Sequence, residues 1–463
     1  MKWVLWMLLT LGCEGKEKAD TSGDGSSTPL DTAPPIETGD PPAPEGWAVS
    51  VRPSDGEPIV DECGTFCATV TVTHDGEPVA DASVDVWVGM DCIGADLITD
   101  ASGSAQTCTT ALDVGENTLL ATFETDESSL VDSVDLEVRP FGYADGIIRD
   151  SRTFDAMPYL PSFDRHTLNP VLSPGPEGSF DSAGAMLPSV AMTPTGWVMW
   201  YAGTTELDYT VGVATSPDGL TWAQASTAAL GPDGLEGSWK RYATNSPMIV
   251  SYGDRWRVYY TGRADALGDL NIGLAEGSSA TEVEDVSDSP VFRWIEEEEA
   301  WSGSAVAHPA VVQHPDGHWE MLYSTGYHRI GHAQSLDGVE WKRYCKNPVF
   351  VGRGGGSWEQ GQVKSADVVV HDGVYLMSYT GGDRGQFKIG FAASRDGLSW
   401  TRMGTPVLGP CVEPGTWESG AVLGATLAVD GDQLRMWYAG TGVTGSAIGL
   451  ASASLPASIG DLP

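Results

Sequence analysis

Asp181 and Glu359 are the first residues in this chain whose types suggest chemistry. Each follows an aromatic side chain, as Phe180-Asp181 and Trp358-Glu359. Two carboxylates placed across a cleft can divide the acid role from the base or nucleophile role at a glycosidic bond. A third acid, Glu418, stands in the same context after Trp417. Its presence supplies a second reading, in which these acids only bond loop amides. A further polar set comprises Arg241, Asn245, His308, Lys364 and Asp367, at positions where comparable segments carry Met, Leu, Gly or Ala. Asp208, Arg263, Asp265, His328, Asp383 and Arg384 add charge in nearby loops. Together they make a polar funnel of both signs, suited to a hydroxyl-rich ligand. Asp181 and Glu359 are the candidate catalytic pair, and the others are candidate binding groups.

The elements that must position them come from a repeat. Tyr201, Tyr260, Tyr323, Tyr379 and Tyr438 sit in "WYAG", "YYTG", "LYSTG", "SYTG" and "WYAG", separated by 59, 63, 56 and 59 residues. An upstream aromatic keeps the same period: Phe180, Trp239, Trp301, Trp358 and Trp417. A downstream run of type "VGVATS" or "IGFAAS" follows each Tyr. Each unit reads as four strands, and five such units of about 60 residues predict a five-bladed β-propeller. The fifth unit ends without a fourth strand, whereas "RHTLNPVL" at 165–172 precedes the first unit and matches one. The predicted ring therefore closes with residues 160–172 completing blade five.

Propeller topology sorts the motifs by face. "SPDGLTW", "SLDGVEW" and "SRDGLSW" fall between third and fourth strands, opposite the ligand face. Their Asp218, Asp337 and Asp396 read as turn formers, because Asp bonds its own backbone and Gly takes positive φ. The shared aromatic ring reads as packing, with sugar stacking the alternative. Function is expected where the repeat breaks.

The pattern "GSWE … DGxYxMxYTG … IGxAxSxDGxxWxR … PV" resembles the five-bladed glycoside hydrolase superfamily of arabinanases, levansucrases, invertases and β-mannoside phosphorylases. The resemblance spans about 310 residues and implies the all-β propeller fold. For activity it cuts two ways. Hydrolase branches usually carry an Asp before the Pro of a first strand, where this chain has Leu187 and His308. They also place a catalytic Glu where this chain has Lys364. Arg241, His308 and Lys364 are instead cationic, as in the phosphorylase branch, where such residues hold phosphate. A glycosidase and a catalytically silent glycan- or protein-binding relative are the two readings left open.

Ahead of the propeller, "CATVTVTH", "ASVDVWVG", "NTLLATFE" and "SVDLEVRP" alternate apolar and polar residues and predict a β-sandwich over 47–140. Its motifs resemble bacterial Ig-like domains. Residues 1–13 form a short apolar leader ending in Leu11-Gly12-Cys13, which resembles a lipoprotein signal and implies lipidation of Cys13. Residues 14–46, rich in Pro, Ser, Thr, Gly and acids, predict a disordered tether. The propeller is expected over 141–455, with a tail at 456–463. The resemblance implies a bacterial cell envelope location, at the outer membrane or cell surface, with membrane contact through the lipid anchor alone. The six remaining cysteines, an even number in an exported chain, favour disulfides. A formal net charge of −39 repels phosphate backbones and argues against a nucleic-acid partner. No metal or cofactor is required by any motif, and structural calcium stays open with no motif behind it.

Overall fold

The computed structural model describes residues 46–459, except 90, 111, 126–128, 143–144, 148, 151, 206–207, 266–268, 296–300, 302, 383–385, 412–414, 444 and 457. The leader, Cys13 and nearly all of the tether lie outside the described residues, as do Asp383 and Arg384. The chain separates into two compact units, 1–148 and 149–463.

The first unit is two β-sheets around one core. Trp47–Pro53, Phe66–His74, Glu77–Pro78 and Ser104–Thr109 form one sheet. Ile59–Asp61, Ser83–Val88, Asp91–Ile98, Gly115–Glu124 and Ser129–Arg139 form the other. The strands follow from period-two patterning. Phe66–His74 buries Phe66, Ala68, Val70 and Val72 and turns its threonines outward. These meet Val84, Val86, Leu119 and Ala121 from the facing sheet. Two buried acids extend the unit beyond Pro140, because Glu62 accepts from the Phe141 N–H and Asp61 from the Gly142 N–H. Cys67 and Cys108 are register partners and form a disulfide. Cys63 is also disulfide-bonded, but Cys411 is a free, half-buried thiol, so the expected pairing of all six cysteines does not hold.

The second unit is the five-bladed propeller. Blade one is Gly184–Thr193, Gly196–Thr204, Tyr209–Ser216 and Ala223–Gln224. Blade two is Ala243–Tyr252, Arg255–Arg263, Leu270–Ser279 and Glu282–Asp285, and blade three Val306–Gln313, Trp319–Thr325, Ile330–Ser335 and Lys342–Arg343. Blade four is Val363–His371, Val374–Gly381, Lys388–Ser394 and Thr401–Arg402. Blade five is Ala421–Asp430, Gln433–Gly442 and Gly445–Ser454, with Asp164–Arg165 pairing on its outer edge. Asn169 then bonds the Leu450 backbone through both ends of its amide, as Asn347 does with His332 in blade three. The same amide clamp shows that 164–172 does in blade five what an outer strand does elsewhere. No helix among the described residues is long and apolar enough to cross a membrane.

The repeated aromatics and glycines explain each other. Trp417 lies against Gly440 and Gly449 and packs on Tyr438 at 5.8 Å between ring centroids. Phe180 with Tyr201, Trp239 with Tyr260, Trp301 with Tyr323, and Trp358 with Tyr379 repeat the contact. Apart from Thr325 in the second strand of blade three, the second and third strands carry Gly at these points because a side chain would occupy the ring's place. A Cβ on Gly440 would enter the Trp417 ring and come within 2.6 Å of the Glu418 Cβ. Gly440→Ala should therefore destabilise the propeller by about 1–3 kcal/mol, the usual cost of overpacking. Chemical denaturation followed by tryptophan fluorescence measures this, and an unchanged midpoint would contradict the packing role of the aromatic ring.

The Asp-Gly motifs form the turns expected of them. The Asp218 carboxylate accepts the N–H groups of Leu220 and Thr221, both at 2.9 Å, and Gly219 has φ of 76°. Asp337 and Asp396 repeat the pattern with Val339 and Glu340, and with Leu398 and Ser399. Blade two, whose "AEGSSAT" lacks the motif, still makes a short turn into its outer strand.

Candidate functional site

Every inner strand breaks its ladder at one point. The register shifts between Met186 and Ser189, Asn245 and Met248, Ala307 and Ala310, Lys364 and Asp367, and Leu423 and Thr426. The residue in each bulge is left-handed: Leu187 (φ 51°), Ser246 (49°), His308 (50°), Ser365 (48°) and Gly424 (54°). Only the last is glycine. Four non-glycine residues in this region each store strain of about 1 kcal/mol or more, which persists only where surroundings impose it. The bulges from all five blades meet around a small cavity of about 30 Å³ on the propeller axis. That space holds one or two waters. A ligand would therefore sit over the mouth, not inside it.

Hydrogen bonds between blades hold this ring. The His308 N–H donates to Thr261 Oγ1 at 3.0 Å, the Ser365 N–H to Ser324 Oγ at 2.8 Å, and the Gly424 N–H to Thr380 Oγ1 at 2.9 Å. These hydroxyls explain why the second-strand motif carries Thr or Ser after Tyr in blades two to four. His308 Nδ1 lies 2.7 Å from Ser246 Oγ across the boundary between blades two and three. Burial, then the charges of Lys364 and His328, push the His308 imidazolium down to about 3. It is a neutral imidazole at ordinary pH. Lys364 is half-buried, its pKa lowered by burial, with its ammonium 4.0 Å above the Phe387 ring. Asp367 lines the cavity from blade four and accepts the Leu427 N–H at 2.7 Å. Burial pushes its carboxyl up to about 7.

Of the predicted set, His308 and Asp367 line the cavity, Asn245 and Lys364 each stand one residue before a bulge, and His328 is near enough to act on His308. Arg263 stacks on Tyr242, 4.8 Å from its ring centroid, at the start of blade two. Arg241, Asp208 and Asp265 are exposed at the rim. The expected catalytic pair is placed otherwise. Asp181 is 2% exposed and accepts from Tyr201 Oη at 2.7 Å, Ser179 Oγ at 2.6 Å and Gln224 Nε2 at 3.0 Å. Glu359 is 0% exposed and accepts from Tyr379 Oη at 2.7 Å, Arg402 at 2.9 Å and the Arg353 N–H at 2.6 Å. Glu418 does the same with Tyr438 and Arg165. Blade two reverses the polarity: Lys240 stands in the acid's place and pairs with Asp285, which accepts from Tyr260. In each case the group ties the leading loop to the blade's own tyrosine and outer strand. Asp181 and Glu359 are thus buried and bonded within their own blades, and neither is among the residues that line the axial cavity.

Three aromatics on the mouth side escaped the sequence reading: Tyr209, Tyr242 and Tyr327, which are 37%, 38% and 59% exposed. Tyr242 and Tyr327 stand beside their strands at Arg241-Tyr242-Ala243 and Gly326-Tyr327-His328, and Tyr209 opens a third strand as Phe387 does just before the one in blade four. A larger cavity, about 700 Å³, is elsewhere, on the opposite face between blades one and two beside Trp197, Trp222 and Trp256. The breaks in the repeat converge instead at the axis.

Fold and mouth together define a five-bladed β-propeller with a polar axial mouth. No protein-family profile matches the chain. It is 29% identical over 233 residues to uncharacterized protein MT1551 of Mycobacterium tuberculosis (strain CDC 1551 / Oshkosh), across 47% of this chain and 74% of that protein. Uncharacterized protein Rv1502 of strain ATCC 25618 / H37Rv matches to the same extent. A putative glycoside hydrolase from Parabacteroides distasonis ATCC 8503 has the same fold, with a TM-score of 0.54 and 15% identity over 65% of this chain and 98% of that one. A second fold relative was solved in work on the GH130 family of mannoside phosphorylases, a family containing glycoside hydrolases that target β-1,2-mannosidic linkages in Candida mannan. It has a TM-score of 0.53 and 17% identity over 67% and 99% of the two chains.

Proposed function

We propose that the propeller binds a glycan across its axial mouth, and that this is its main activity. The carrying observation is the ring of strained bulges that places His308 and Asp367 in the cavity lining and Asn245 and Lys364 next to it in the chain, with exposed tyrosines nearby. Amide, imidazole, ammonium and carboxyl groups together match the donors and acceptors of sugar hydroxyls, and tyrosine faces match the apolar faces of pyranose rings. The glycoside hydrolases among the fold relatives support a carbohydrate ligand. Hydrolysis is favoured less, because it needs two carboxylates across the bond. Among the described residues Asp367 is the acid that lines the axial cavity. Its raised pKa still suits a general acid and keeps hydrolysis as the second reading. The N-terminal unit, whose motifs resemble Ig-like modules, serves as a spacer, and a lipidated Cys13 tethers the protein to a bacterial envelope.

A glycan array followed by calorimetry tests the binding. Lys364→Ala and Tyr327→Ala should each weaken the selected glycan about 10-fold or more, the effect of losing a central contact of about 1.4 kcal/mol. Unchanged affinity in both variants would remove the mouth as the site. Turnover of any glycan that disappears in Asp367→Asn would decide for hydrolysis.

A further inference from the structure

A second break in the repeat lies on the opposite face of blade three. Three residues before the repeat tyrosine, blades two and five carry Arg257 and Arg435. Each donates to the carbonyl of the next blade's Asp-Gly turn, Arg257 to Asp337 O at 2.5 Å and Arg435 to Asp218 O at 2.9 Å. Blade three has Glu320 there instead, 4% exposed. Its neighbouring turn carbonyl, Asp396 O, is served at 2.7 Å by Arg149, which also pairs with Glu320. The chain thus replaces a structural arginine by an acid and supplies the guanidinium from elsewhere.

Around that acid stand imidazoles. His314 Nε2 is 3.2 Å from Glu320 Oε2, His318 Nε2 is 3.7 Å from Oε1, and His332 Nε2 is 3.6 Å from Oε1. His314 and His318 flank the hairpin turn of "HPDGHWE" and stack 4.2 Å apart at 2°. Asp316 Oδ1 lies 2.5 Å from His318 Nδ1, which fixes the proton there and leaves Nε2 as a donor of electrons. A cavity of about 10 Å³, lined by Glu320, His332 and Tyr375, adjoins the group. That is the space of one water or one ion.

We propose that His314, His318 and Glu320 form a binding site for one divalent transition-metal ion of the zinc class. The side-chain donors of the three residues lie within 4.8 Å of one another. A tetrahedral ion with bonds of about 2.1 Å holds its ligands about 3.4 Å apart, close to the 3.2 Å between His314 Nε2 and Glu320 Oε2 and inside the 4.8 Å that spans all three donors. Two imidazoles and one carboxylate select zinc, cobalt, nickel or copper over calcium or magnesium, which take oxygen ligands. Arg149 holds one carboxylate oxygen and leaves Oε2 turned toward His314. The ion would clip the exposed hairpin of blade three to its buried second strand. This site is independent of the axial mouth and of what binds there.

The test uses the full chain, free of any histidine tag and stripped with a chelator. Calorimetry with Zn²⁺ and visible absorption with Co²⁺ are expected to show one saturable equivalent and the spectrum of a low-symmetry four-coordinate cobalt ion. The His314→Ala, His318→Ala double variant should lose at least 100-fold in affinity. Asp316→Asn, which leaves all three ligands and the hairpin intact, should lose about 10-fold. Absence of a saturable equivalent overturns the site, as does equal affinity in the double variant and the parent, because the acidic surface alone would then be collecting the metal.

Discussion

Glu359→Ala should destabilise the propeller by about 3–5 kcal/mol, the range found when one partner of a buried ion pair is removed. The Arg402 side chain is only 11% exposed, lies 3.6 Å from the Phe350 ring centroid, and among the described residues keeps the Val351 carbonyl as its acceptor once Glu359 is gone. Tyr379 Oη and the Arg353 N–H lose their acceptor as well. The large cost is that of leaving a guanidinium buried beside an aromatic ring, not the intrinsic worth of the pair. Asp181→Asn provides the contrast. Its partners Tyr201, Ser179 and Gln224 are neutral, and an amide oxygen still accepts from some of them, so about 1–3 kcal/mol is expected. Urea midpoints for the two variants, together with glycan affinity, separate the roles. A blade-closing carboxylate lowers stability and leaves the affinity of the folded fraction alone. A large loss of ligand affinity or turnover at full stability would return Glu359 to the reaction centre.

The propeller was legible because its determinants repeat within the chain. Tyr201 and its four counterparts mark second strands, and the paired glycines mark where the aromatic of the leading loop lies. The displaced strand before blade one was legible because Asn169-Pro170 repeats Asn347-Pro348. Asp181 and Glu359 were placed in the correct loop, but their partners were hidden. Gln224 and Arg402 arrive from outer strands some 43 residues later, and only the folded blade aligns them. The strained ring was hidden for a different reason. Gly424 alone advertises a left-handed backbone, whereas Leu187, Ser246, His308 and Ser365 take that conformation because the bulge imposes it. The Glu320 cluster needed Arg149 from outside the repeat, and no period in the sequence points to that partner.

Asp367→Asn should raise stability at neutral and alkaline pH, and the gain should vanish in acid. The carboxyl titrates at about 7 in the folded chain against 3.8 as the ordinary value, and the cause is burial, opposed by the bonds from Leu427 and Thr426. A folded pKa above the unfolded one means that the native state holds the proton more tightly. Its contribution is fully present below pH 3.8 and is lost progressively as pH rises to about 7. At one unit per 1.36 kcal/mol the loss reaches roughly 4 kcal/mol at most above pH 7. Asparagine does not titrate, and its oxygen still accepts the Leu427 N–H, so the variant escapes the loss. Paired urea denaturations at pH 4.5, 6 and 8 measure the difference between the two proteins. It should grow with pH by a few kcal/mol, and a difference flat across that range would show that Asp367 does not titrate there. Other groups with shifted pKa values, His308 among them, are common to both proteins and cancel. A chain that keeps a destabilising acid at the one point where its five blades converge is using that acid. The same variant therefore ties stability to function: the gain at pH 8 should come with weaker glycan binding at the mouth.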